Sequence, residues 1–141
     1  MATIGSQIRS YFHTAIMAAT GLPESSVLKS PRFHLDGDNL PLISIYTHSD
    51  KPLVVDQISD RRHSRIYTVA VEINVGGRVE EDTTDALAVQ VRQAILADGT
   101  LGRLVNFTVW ASQEWGAKEN ASAESATLLL FSCHYIWTPG A

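Results

Sequence analysis

Cysteine is nearly absent from these 141 residues: Cys133 stands alone, so no disulfide can form within one chain. Charge is scarce as well, at 18% of residues, against about 25% in typical soluble domains. Surface that is uncharged in this way points to coverage by other subunits. Basic residues are fewer than acidic ones, 11 against 15, for a formal charge of −4. That balance excludes a general binder of nucleic acid or anionic membrane, which needs a basic field to offset phosphate repulsion. Long hydrophobic runs are missing too. The uncharged stretch from Ser10 to Pro23 is broken by His13, Thr14, Thr20 and Gly21, far short of the roughly 20 apolar residues that span a bilayer. The start lacks the Lys/Arg-rich layout of a signal peptide, so no secretory leader is expected and the sequons at Asn106 and Asn120 are expected to stay unmodified. Nowhere is there a Gly-x-Ser-x-Gly elbow, a His-Glu-x-x-His helix or a phosphate loop, which leaves hydrolase and nucleotide chemistry without an anchor.

What is present is a chain of one domain's length, residues 1–141, with 45% hydrophobic residues. A domain of this size buries roughly 68% of the surface its unfolded chain exposes, so it needs no staples. From Ser6 to Thr20 the positions Ile8, Phe12, Ala15, Ile16 and Ala19 form the stripe of an amphipathic helix, with Gly21 as its cap and Pro23 as its stop. Residues 24–40 read as irregular chain with a turn at Asp36-Gly37-Asp38-Asn39. Leu42 to Tyr46 is a strand entered from Pro41, and Thr47 to Ser64 a long polar loop. Arg65 to Val75 alternates, with Tyr67, Val69, Val71, Ile73 and Val75 on one face and Thr68, Glu72 and Asn74 on a wet or partner-facing one. A second helix opens at Asp82 and Asp85, carries Leu87, Ala88, Val91, Ala94 and Ile95, and closes at Gly99. Leu104 to Ser112 and Ala126 to Trp137 are the last strands, joined by the polar segment Glu114 to Glu124. The final one is apolar enough on both faces to be central and doubly buried. This order predicts an α+β domain: a mostly antiparallel mixed sheet of about four to five strands, with two main helices packed on one face.

Each candidate for chemistry has a plainer reading beside it. His34, Asp36 and Asp38 alternate, so with His48 or His63 they could hold a divalent ion; the turn at Asp36 accounts for the same residues. A small metal- or ligand-binding domain built on His34, Asp36, Asp38 and His48 is the competitor from another functional class. Cys133 and His134 are strand neighbours that point to opposite faces, so they cannot act as a thiolate–imidazole pair. Gly99-Thr100-Leu101-Gly102 matches the backbone-clamping loop of a nucleic-acid module only superficially, and the acidic balance favours a helix end. Asp60, Arg61 and Arg62 in the long loop offer forked donors and a carboxylate for docking, Trp110 and Trp115 flank a polar stretch suited to an interface, and at least one of these indoles belongs to the core.

The order and spacing of the first helix, the strand Leu40 to Tyr46, the alternating strand Tyr67 to Val75, the helix opening at Asp85-Ala86-Leu87-Ala88 and the closing strand Glu124 to Tyr135 resemble the tail terminator family of long-tailed bacteriophages, the minor tail protein U type exemplified by phage lambda. The matching pieces cover roughly two-thirds of the chain, and segments 24–39 and 47–64 depart from the pattern. The resemblance implies a non-enzymatic virion protein without cofactor, assembled in the host cytoplasm. It implies a homohexameric ring at the head-proximal end of the tail that stops growth of the tail tube protein and receives the head–tail connector or neck protein. DNA would only pass through its lumen, and no membrane is involved. A neck or tail-completion connector is the alternative in the same class. Asp60, Arg61, Arg62, Trp115 and Glu119 are the interface candidates, chosen by charge and position in the chain.

Overall fold

The computed structural model describes residues 3–29, 41–52, 63–75, 81–117 and 125–137, excepting the side chains of His63, Glu81, Asp82, Trp115, Gly116, Ala117, Ser125 and Ala126. Helix α1 (Ile4–Thr20) starts where the Thr3 hydroxyl accepts from the Ser6 amide, and ends at Gly21, whose φ of 71° lets its N–H bond back to the Met17 carbonyl. Glycine reaches that left-handed conformation without a Cβ clash, as its place in the sequence anticipated. A short 3-10 turn (Glu24–Ser26) leads into β1 (Val27–Leu28), followed by β2 (Leu42–Pro52), β3 (His63–Val75), α2 (Glu81–Leu96), β4 (Phe107–Ala117) and β5 (Ser125–Trp137).

The five strands form one mixed sheet in the order β1-β2-β3-β5-β4. Only β1 runs parallel to its neighbour, through Val27 opposite Ile43; the other three pairings are antiparallel. Both helices lie on one face of the sheet. Ile8, Phe12 and Ile16 of α1 and Ala88, Val91 and Ile95 of α2 join Ile43, Ile45, Val69, Val71, Ile73, Leu129, Phe131 and Cys133 in a continuous core without solvent exposure. Phe12 meets Phe131 edge-on, with centroids 5.5 Å apart, an arrangement that the ring quadrupoles favour. The α+β class with two helices on one sheet face is therefore the observed architecture.

Several boundaries differ from the sequence reading. The segment 47–64 is not all loop: β2 continues to Pro52 and β3 begins at His63, with an extra residue, His48, between the paired Thr47 and Ser49. Likewise β4 runs on to Ala117, taking in Glu114 and Trp115, and it starts at Phe107 rather than Leu104. Strand β1, with its parallel pairing, was not anticipated. The glycine in the left-handed region after α2 is Gly102 (φ 67°), not Gly99, and it sits between Leu101 (φ 51°) and Arg103 (φ 72°).

The last strand is central but not doubly buried. Thr127, Leu129, Phe131, Cys133 and Tyr135 are buried under the helices, whereas Leu128, Leu130, Ser132 and His134 are half-buried and Ile136 is exposed. No described helix covers that second face. Nor is the second face of β3 uniformly wet, since Ala70 and Asn74 on it are fully buried.

Candidate functional site

Of the five interface candidates, Asp60, Arg61, Arg62 and Glu119 lie outside the described residues. Trp115 belongs to β4, opposite Thr127 of β5. Of the metal candidates, His34, Asp36 and Asp38 also lie outside, His63 is placed by its backbone alone, and His48 is exposed at the β2 bulge. Among the described residues no three His, Cys, Asp or Glu side chains cluster as metal ligands would. No helix among them is long and apolar enough to cross a membrane.

Cys133 is inert by position. Burial pushes its thiol up to about 11, against a contact 3.8 Å long from the Thr108 hydroxyl that favours the thiolate. His134 points to the other face, stacked on Phe107 with centroids 4.2 Å apart, and burial lowers its pKa. The two neighbours thus sit on opposite sides of the sheet, as alternation required.

The loop after α2 offers no anion cradle. Asp98 Oδ1 accepts from the Thr100 amide and hydroxyl (3.0 and 2.7 Å), and Oδ2 accepts from the Gly102 amide at 2.9 Å. These donors hold its carboxyl below the usual range and are the amides a bound phosphate would have used. The match of Gly99 to Gly102 to a nucleic-acid loop therefore has a structural explanation in the carboxylate that organises the turn.

Two polar clusters lie at the end of the sheet beyond the helix layer. Asp50 receives Arg65 Nε at 3.1 Å and the Tyr135 hydroxyl at 3.0 and 3.2 Å, tying β2, β3 and β5 together across the sheet. The aspartate beside Arg65 raises the guanidinium pKa further, and burial pushes Tyr135 up. Nearby, Arg9 of α1 donates to Thr47 Oγ1 (2.7 Å) and the Tyr67 hydroxyl (2.6 Å), and those two hydroxyls also bond each other. A Cβ at Gly5 would stand 2.9 Å from Tyr67 Cε2 and Oη, so glycine is what lets α1 approach this ring.

The two flanks of the sheet are unlike each other. On the β4 flank, Val89, Arg92, Gln93 and Leu96 of α2 and Trp110 of β4 line an open groove of about 300 Å3. The Arg92 guanidinium lies 4.1 Å from the Trp110 ring centroid, a cation–π contact. Trp110 donates its indole N–H to the Ser112 carbonyl at 3.1 Å and, half-buried, packs one side against the core while lining the groove with the other; the side chain of Trp115, the second indole considered, lies outside the described residues. On the opposite flank, the turn Pro23 to Ser26 and β1 close the sheet edge, with Pro23, Glu24 and Ser25 exposed. Sequence reading passed over the groove, although its signal was present: Val89, Arg92, Gln93 and Leu96 recur at spacings of 3, 1 and 3, a second stripe on α2 beside the core stripe.

Compared with known protein families and with curated proteins, the chain matches none. Among solved structures it is similar to a chain of the virion of a native gene transfer agent particle, with a TM-score of 0.60 and 12% identity, covering 90% of this chain and 92% of that one. The two share a fold over nearly their whole lengths.

Proposed function

We propose that this chain is a structural subunit of a phage or phage-like particle, and specifically a tail terminator. It closes into a hexameric ring on the head-proximal end of the tail tube, ends tube polymerisation by occlusion, and presents the connector with a docking surface. The observation that carries this reading is the fold shared with a virion chain over nine-tenths of both proteins. A second feature supports it. A closed ring is built from heterologous contacts, in which one flank of each subunit meets a different flank of the next, and this sheet ends in two unlike flanks. In this reading the protein is not an enzyme, its partners are its own copies, the tube protein and the connector, and DNA passes through the lumen. Asp60, Arg61, Arg62, Trp115 and Glu119 remain its proposed contact residues.

Negative-stain electron microscopy of the purified protein, alone and with purified tail tubes, tests the proposal. The expected result is six-fold rings with a central hole, free or seated on tube ends. Tubes that lengthen unchecked in the presence of the protein would overturn it. Rings that bind the connector and ignore tubes would replace it with a neck protein. Replacing Arg61 and Arg62 together by Glu should leave the subunit folded and abolish capping; normal capping would remove that loop from the interface.

A further inference from the structure

Arg92 is the starting point. Its Nε is buried without a hydrogen-bond partner, and the side chain pairs with no carboxylate among the described residues. Its guanidinium lies over the Trp110 face. Around it, Val89 (37%) and Leu96 (42%) are exposed although large and apolar. A guanidinium set in an apolar groove, with an unused donor, suits a carboxylate carried on an apolar support.

The opposite flank carries that complement. Pro23 has its φ at −69°, its carbonyl accepts from the Ser26 amide at 2.9 Å, and the Glu24 carbonyl accepts from the Val27 amide. This fixes an exposed proline and an exposed carboxylate side by side on a rigid turn, so little ordering is needed on contact. Glu24 has no hydrogen bond or ion pair from its side chain among the described residues. The other exposed acids among the described residues are placed or engaged differently. Asp85 and Glu114 belong to α2 and β4 on the Arg92 flank, Asp98 is held by Thr100 and Gly102, and Asp50 is paired with Arg65.

Edge-to-edge strand pairing is disfavoured as the lateral contact. Both outer long strands carry a bulge, at His48 in β2 and at Ala111 in β4, and bulges twist an edge away from regular pairing. The join therefore falls to the helix layer, where the groove lies.

We propose that the α2–β4 groove receives the Pro23–Glu24 turn of a second copy of this chain, with the proline against Trp110 and Leu96 and the Glu24 carboxylate on Arg92. Repeated around a ring, this is the subunit contact. The inference rests on the ring reading above and names its interface.

A charge swap on the full-length protein tests it, with assembly followed by sedimentation velocity and electron microscopy, and folding by circular dichroism. Glu24→Arg and Arg92→Glu, each alone, should weaken assembly at least about tenfold, while the double variant should recover to within about threefold of the wild type. Because Arg92→Glu also removes a contact with Trp110, Glu24→Arg, on an exposed turn, is the decisive single variant if the other unfolds. Rings unchanged in Glu24→Arg, or a double variant no better than the singles, would overturn this contact and leave the ring reading standing. A wild type that stays monomeric both alone and on tubes would overturn both.

Discussion

The two faces of the sheet divide the molecule. On the helix-covered face, Val69, Val71, Ile73, Leu129 and Phe131 have no exposed surface. On the other, exposure rises from fully buried Ser44, Ala70 and Asn74 at one end to Ile136, Val109 and Phe107 at the other, at 39%, 45% and 49%. The first face is closed off from water as a protein interior is. The second is less consistent: among the described residues, Ser44 Oγ and both amide atoms of Asn74 are buried without partners, against Thr127 Oγ1 on the first face, and large apolar groups meet water. Burying an unpaired polar group opposes folding, and exposed Phe107 and Val109 add little to it. Stability is thus concentrated on one face, and substitutions should register there first.

The largest effect is expected from Phe131→Ala, which empties the contact with Phe12 beneath α1 and should cost about 3–5 kcal/mol by urea unfolding. Phe107→Ala, on the neighbouring strand but the other face, should cost less than about 1.5 kcal/mol, because half of the ring is already in water and its partner is His134. Comparable losses at the two positions would break the contrast. Next in size is Gly5→Ala, where the added methyl group meets the Tyr67 ring held by Arg9 and Thr47. Forcing α1 off the sheet there should cost about 1–3 kcal/mol. An unchanged unfolding midpoint would show that the ring gives way freely.

Cys133 reports on the covered face without mutation. Its pKa is raised to about 11 from 9.0, so the thiol form stabilises the fold fully below the unfolded value, and that contribution is lost as pH rises through the folded one. At pH 8, alkylation should run at least about a hundredfold slower than in urea-unfolded chain, because it requires opening of the core. The protection should shrink in Phe131→Ala and survive in Phe107→Ala. Equal labelling of native and unfolded protein would mean that the covered face is open on that timescale.

The same division explains what could be read in advance. Under the helices, strand alternation is written in Val, Ile and Phe, so β3 and β5 were legible, as was α1 down to Gly21. Beyond the helix layer, β2 carries Asp50, Lys51 and Pro52 opposite Tyr67, Ile66 and Arg65; a strand whose side chains meet water has no hydrophobic period, and it read as loop. Strand β1 is two residues long and is defined by a parallel partner distant in the chain, which no local pattern encodes. Apolar residues on both faces of β5 suggested double burial, but periodicity reports apolar character and not the presence of a second layer. Of the candidate site, Val89, Arg92, Gln93 and Leu96 were legible as a stripe. Trp110 joins them only because the β5–β4 pairing swings β4 beside α2, while charge in long loops drew attention to Asp60, Arg61 and Arg62, outside the described residues.

The smallest effect concerns the loop that feeds the covered face from outside. Leu101 is fully buried although its φ is 51°, a conformation that strains a residue with a Cβ, so the surrounding turn must hold it there. Asp98 does this through its bonds to Thr100 and Gly102, and those bonds lower its pKa. The sign follows: a depressed folded-state pKa means that the carboxylate stabilises the fold above its unfolded value and ceases to do so as pH falls through the folded one. Asp98 is exposed, so the contribution is screened and modest. Asp98→Asn keeps one acceptor but turns an amide nitrogen toward a donor, and should lower the urea midpoint at neutral pH. Below the folded-state pKa the wild-type side chain is protonated as well, and the gap between the two proteins should close. A gap that is the same at neutral pH and in acid below the folded-state pKa would show that Leu101 is held by packing on the covered face alone, with the carboxylate merely resting on a turn the core already fixes.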